Sequence, residues 1–394
     1  MPPDNHSPIA CEMPMLRRTA FAVVICAASL TAAPARADDW DTCKDESVAA
    51  DVSITACTKL INSRRNKGND LAIAYYNRGI SYRQKGDVDR ALSDYNESIR
   101  INPSYARAFN NRGNIWKDKG DLDRAIADYD QAIKLEPGFA LAYANRGDVF
   151  DDQGDQTRAI ADLDQAIRLD PKFARAYNVR GVAWKKKGDL DRALEDFSQT
   201  IRLDPKSAIA YANRGDVFDD KGDQDHAIAD LTEATRINPN FARAYNIRGV
   251  IYKNKGDLDR AIADYTDAIR SDPKYALAYL NRGTVYRERG DLDRAASDFG
   301  DAIRLNPKAD IGYLRRSEVL LKKGDNPAAL SDADQAISLN GNEPANYLHR
   351  AAVLRALDRN DDAIADLRKA LSLNPNANRK RQIEDALRDL DATP

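Results

Sequence analysis

From residue 72 to residue 377, apolar, small and polar positions recur with a period of 34 residues. In the stretch 106–139, Phe109, Gly113 and Trp116 stand at i, i+4 and i+7, the spacing of one helix face. Gly120 interrupts that face, and Ala125, Tyr129, Ala132 and Ile133 resume it. Two antiparallel helices are predicted. Gly120 suits the left-handed stop of the first, Asp121 caps the second, Asp123 favours its positive end, and Pro137 ends it. Gly113 and Ala125 carry almost no side chain where the helices must approach, which leaves room for aromatic rings above and below.

The same reading extends along the chain. Pro103, Pro137, Pro171, Pro205, Pro239, Pro273, Pro307 and Pro375 fall on one 34-residue lattice, interrupted only by Gly341. Gly79, Gly113, Gly147, Gly181, Gly215, Gly249 and Gly283, then Ser317 and Ala351, keep a small residue on a second lattice. Nine units result, spanning 72–377, and repetition at this period signals units that stack on their neighbours.

Counted within a unit, the pattern is an aromatic at the fourth position, a small residue at the eighth and an aromatic at the eleventh. Ala follows at the twentieth, an aromatic or Leu at the twenty-fourth and Pro at the thirty-second. The pattern resembles the tetratricopeptide repeat (TPR) family over about 306 residues. The resemblance implies an all-α solenoid of antiparallel helix pairs, wound as a right-handed superhelix, with a concave groove lined by the first helices.

The chain departs from that family at the seventh position, where Leu is usual and each unit here has Arg, from Arg78 and Arg112 to Arg350. Each unit also has Asp at the twenty-third position, from Asp94 and Asp128 to Asp366. The two positions lie eight residues before and eight after the turn glycine, so antiparallel helices bring them level. Nine Arg–Asp ion pairs are expected within 6 Å, with ligand-binding arginines as the alternative; a partly exposed pair contributes only about 0–1 kcal/mol.

Both ends differ from the repeat. Residues 38–71 read as a degenerate N-terminal cap: ITACTKLI mimics a second helix, with Cys57 at the aromatic position and four extra residues before the next unit. Residues 378–394 read as a C-terminal capping helix with Ile383, Leu387 and Leu390 on one face.

Residues 1–37 change the picture of where the protein works. TAFAVVICAASLTAA (19–33), preceded by Arg17 and Arg18 and followed by Ala35-Arg36-Ala37, reads as a secretory signal cleaved after Ala37. Translation starts at Met1, Met13 or Met15, and the arginine pair fits an ordinary or a twin-arginine signal. An exported, periplasmic or secreted protein with no stable membrane span in its mature chain is expected. Cleavage also removes Cys11 and Cys26, leaving Cys43 and Cys57 as an expected disulfide; two free thiols are the alternative. Closing that loop stabilises the fold by about 3 kcal/mol in the chain-entropy model.

Charged residues make up 31% of the 394, yet Lys+Arg 60 against Asp+Glu 62 gives a net charge of only −2. That balance argues against nucleic acid as a partner. The opposed charges are ordered: ANRGDVFDD recurs in units 3 and 5, FARAYN in units 4 and 6, a 68-residue super-repeat. On the family's geometry, Asp148, Asp151 and Asp152 of unit 3 and Asp216, Asp219 and Asp220 of unit 5 face the groove. Arg175, Asn178 and Lys185 of unit 4 and Arg243, Asn246 and Lys253 of unit 6 face it between them. Such stripes either neutralise one another across unit junctions, or read an extended partner of alternating charge, or record recent duplication. Asn114, Asn145 and Arg175 resemble three members of the family's clamp for a partner's C-terminal carboxylate. Asn110 stands where the clamp has Lys, and Val179 where it has a second basic residue.

No catalytic, cofactor-binding or metal-binding constellation is present in the sequence, and His226 and His349 are isolated, His226 reading as a solvated side chain. A non-enzymatic scaffold that binds a partner protein or peptide in its groove is therefore expected. A self-assembling structural envelope protein, or a non-catalytic subunit of an envelope-processing enzyme complex, is the alternative; the sequence does not set the oligomeric state.

Overall fold

The computed structural model describes residues 38–63 and 65–393, which form 21 helices and no strand. The expected signal, with Cys11 and Cys26, lies outside the described residues. The helices pair in series into an α-solenoid, each packing against its neighbour in sequence.

Unit 2 shows how the residues build a pair. Its helices span Ala106–Asp118 and Leu122–Leu135. Gly120 takes φ +79°, a conformation that costs an L side chain, and the Asp121 carboxylate accepts the Arg124 backbone N–H at the start of the second helix. In unit 9, Asp358 occupies the turn position with φ +60°.

Close approach of the two helices depends on the missing Cβ at the eighth position. A methyl added at Gly181 would lie 2.7 Å from the Phe197 ring, which is fully buried, and one at Gly113 would lie 2.8 Å from the Tyr129 ring. In units 3 and 5 the facing residue is Leu163 or Leu231, at 3.0 Å from the corresponding position. Gly181→Ala is therefore expected to cost about 1–3 kcal/mol by overpacking. Phe197→Leu in the same chain should recover part of that loss. Denaturant midpoints of the two variants check this, and a Gly181→Ala protein as stable as the parent would contradict it.

Stacking defines two faces. The first helices of successive units approach one another directly, for example Ala140–Asp152, Ala174–Lys186 and Ala208–Asp220, whereas the second helices meet mainly the helices adjacent in sequence. The row of first helices is thus the tighter, concave face.

The ends are closed by different means. A short pair, Asp39–Lys44 and Ala50–Asn62, precedes unit 1, with the Cys43 and Cys57 sulfurs at disulfide distance, 2.06 Å, and Trp40 and Ile61 packed around them. At the other end, Ala377–Arg388 buries Ile383 and Leu387 completely against Ala351, Leu354, Leu367 and Ala370 of unit 9. Among the described residues, no helix is long and apolar enough to cross a membrane.

Candidate binding groove

All nine arginines at the seventh position hold the aspartate of their own unit in a two-bond fork. Nε and Nη2 donate to the two carboxylate oxygens at 2.7–2.9 Å. The aspartates lie deeper than the partly exposed pairs expected, at only 4–8% exposed. A carboxylate that deep depends on its arginine. Burial pushes the Asp94, Asp196 and Asp264 carboxyls above the usual range even with the guanidinium in place.

In eight of the nine the remaining guanidinium nitrogen reaches across the unit junction, the exception being Arg316, which faces Gly300. Nη1 of Arg112 donates to Asn96, of Arg180 to Asp164, of Arg214 to Ser198 and of Arg282 to Thr266, each in the preceding second helix. Arg78 reaches Thr58 of the cap in the same way, at a separation of 20 residues instead of 16, which absorbs the four extra residues. These arginines are therefore occupied in holding the solenoid together.

The groove charges are also paired with one another. Lys117 of unit 2 donates to Asp148 at 2.6 Å and lies 3.2 Å from Asp152, while Arg175 of unit 4 approaches Asp148 from the other side at 2.9 Å. Sixty-eight residues on, Lys185 lies 2.6 Å from Asp216 and 3.0 Å from Asp220, and Arg243 lies 2.9 Å from Asp216. Lys186 meets Asp151 at 2.7 Å, and Lys253 meets Glu288 at 3.3 Å. Asp219 differs: unit 6 has Asn254 where unit 4 has Lys186, and no cation among the described residues lies within ion-pair distance of it. Burial, then Asp220 and Asp216, push its carboxyl up. Of the sequence alternatives, mutual neutralisation across junctions is the arrangement observed.

The asparagines occupy a layer beneath. Asn110 and Asn246, expected on the groove surface, are only 1% and 4% exposed. Their side-chain carbonyls accept from Asn145 and Asn281, and half-buried Asn178 accepts from Asn213. The clamp-like residues are engaged internally as well. Arg175 donates to Asn145 at 2.8 Å, Arg243 to Asn213 at 2.9 Å, and Asn114 accepts from the Tyr129 hydroxyl. His226 is exposed as expected, but it stacks on Phe218 with centroids 5.3 Å apart, and its Nδ1 is 2.7 Å from Asp223. Arginines take that place in neighbouring units, as Arg192 does over Trp184.

The groove also carries apolar residues that the periodic pattern does not mark. Leu141, Ile209, Leu277 and Ile311, at the second position of their units, are 36–50% exposed, with Arg175 and Arg243 interleaved. A cavity of about 540 Å³ opens over unit 4, walled by Val179, Val182 and Ile209 and flanked by Asp148, Asp151 and Arg243. The signal was present in the chain: an aliphatic residue at a position outside the i, i+4, i+7 core face.

The pattern described as tetratricopeptide repeat matches residues 110–172, 145–208, 248–310 and 314–378, more than half of the chain. The chain belongs to the tetratricopeptide repeat family. A second tetratricopeptide pattern matches 72–105 and a TPR repeat pattern matches 215–256. Comparison with curated proteins returned no match. Among solved structures, this TPR chain shares its fold with a chain of the APC/C hetero-tetramer Cut9-Hcn1, at 16% identity and TM-score 0.52, covering 86% of this chain and 83% of that one. It is also similar to MamA, at 31% identity and TM-score 0.38, over 42% of this chain and 96% of that one. YrrB, described as a TPR protein with an unusual peptide-binding site, matches at 24% identity and TM-score 0.38 over 47% of this chain and 95% of that one.

Proposed function

We propose that this protein is an exported, non-enzymatic scaffold whose concave face holds a segment of a partner protein. The observation that carries the reading is the surface of that face over units 3 to 5, where Leu141 and Ile209 are exposed and Ile209 borders a cavity beside paired charges. Apolar surface of this kind, rimmed by polar groups, is what a partner segment covers. Export is supported by the apolar run 19–33 and by the Cys43–Cys57 pair, which belongs to an oxidising compartment. Because the groove charges already match one another, they select against mispaired partners more than they add affinity.

A photo-crosslinking residue placed at Ile209 on the concave face, and separately at Arg168 on a second helix, tests this in the native cell. The expected result is one dominant protein partner from Ile209 and none from Arg168, with the recovered chain beginning at Asp38. Equal capture from both positions, or none from Ile209, would contradict the scaffold reading. A recovered chain that retains residues 1–37 would contradict export.

A further inference from the structure

The cavity over unit 4 lies where serine replaces an aromatic side chain that the other five of the first six units carry. The last position of each unit, just before the next first helix, is Tyr105, Phe139, Phe173, Ser207, Phe241 and Tyr275 in units 1 to 6. Where the ring is present it fills the junction. Phe139 packs with Ala106, Ala132 and Ala142, and Tyr275 with Ala242, Ala268 and Ala278. The residues in the same places around Ser207 are Ala174, Thr200 and Ala210, and here Ala174, Thr200 and Ser207 line open space. The opening continues along Val179, Val182 and Ile209, and its volume of about 540 Å³ is in the range of ligand sites.

A second observation, independent of the missing ring, lies at the far end of the same cavity. Asp151 lines it and is only 5% exposed, with Oδ2 held by Lys186 at 2.7 Å. Its Oδ1 is buried without a hydrogen-bond partner. Since Lys186 already matches the charge, what this oxygen lacks is a donor and not a cation. A buried acceptor left unmade is costly.

We infer that this cavity is an anchor site for an extended polypeptide, taking one aromatic side chain in the gap over Ser207. The inference rests on the scaffold reading above and narrows it to one unit and one kind of residue. A ring entering from a partner reproduces the packing that Phe139 and Tyr275 provide elsewhere, with apolar contact supplied by Val179, Val182 and Ile209. An aromatic anchor in a pocket is the usual centre of an interface of this kind.

The site can be tested with a small probe and no knowledge of the partner. The capped tripeptide acetyl-Ala-Phe-Ala-amide is titrated into the purified protein while the methyl signals of Val179, Val182 and Ile209 are followed by NMR, with acetyl-Ala-Ala-Ala-amide as control. The expected result is saturable shifts at those methyls with the phenylalanine peptide and none with the alanine peptide. Ser207→Phe fills the gap with the chain's own ring; it is expected to fold with an unchanged or higher melting temperature and to lose the shifts. Shifts that persist in folded Ser207→Phe, equal shifts with the alanine peptide, or no shift at the three methyls would each overturn the inference. If Ser207→Phe still gives the Ile209 crosslink to the native partner, the anchor fails while the scaffold reading stands; if the parent gives no such crosslink, the scaffold reading fails by itself.

Discussion

Arg180→Ala is expected to destabilise the solenoid by about 3–5 kcal/mol, because it strands a buried carboxylate. Asp196 is 4% exposed and receives both Nε and Nη2 of Arg180, at 2.9 and 2.7 Å. The same guanidinium bonds Asp164 of the unit before, so its loss also loosens a junction. Replacing both partners, Arg180→Leu with Asp196→Leu, removes the charge together with its compensation and should cost far less than Arg180→Ala alone. The pH dependence has a definite sign. Burial already raises the Asp196 carboxyl above its usual value, and losing the arginine raises it further. The folded variant then holds a proton that the unfolded chain releases, so its deficit is smallest below about pH 4, the ordinary Asp range, and grows as pH rises through the folded pKa. Denaturant melts of parent and variants at pH 4 and pH 7 check this. A deficit near 1 kcal/mol that does not vary with pH would return these pairs to the rank of surface salt bridges.

Reversing Asp148 and Asp216 together to Lys is expected to cost about 4 kcal/mol in total, from two lost pairs at each site and the repulsion that replaces them. Asp148 lies between Lys117 and Arg175, and Asp216 between Lys185 and Arg243, so each substitution creates a cluster of three cations across two junctions. Both aspartates are partly solvated, with side chains 22% and 24% exposed, so salt should reduce the deficit. The paired neutral substitutions to Asn remove the attraction without the repulsion and should cost about half as much. Thermal melts in low and high salt distinguish the cases, and a salt-independent deficit would contradict the assignment of these charges to junction pairing. Reversal is for the same reason a poor probe of partner binding, since it disturbs the solenoid before it disturbs a ligand.

The residues that set the fold speak through repetition. Gly at the eighth position and a ring at the twenty-fourth recur in the chain and meet at 2.7–2.9 Å from where a Cβ would stand, as at Gly79, Gly181 and Gly249. The Arg–Asp fork was equally legible, because two constant positions equidistant from a turn must lie level. Its third bond was not, because the acceptor changes from Thr58 to Asn96, Asp164, Ser198 and Thr266 and offers no repeated letter to notice. The depth of the asparagines was hidden for another reason. Neighbouring positions such as Asn145 and the alanine before it differ by one step around the helix, and which of them faces the next unit depends on how the units stack. Ser207 was visible in the sequence as a break in an aromatic series, but it sits in a connection where helix-face arithmetic assigns no role.

The measurement that bears most directly on the concave face as the binding surface is hydrogen exchange on the purified protein with and without the partner captured through Ile209. The account predicts slowed exchange centred on the first helices over units 3 to 5, within 140–152, 174–186 and 208–220, and around Thr200 where the second helix of unit 4 lines the cavity, with the other second helices unchanged. Slowing on the second helices or at the end caps, with those three segments unaffected, would contradict it.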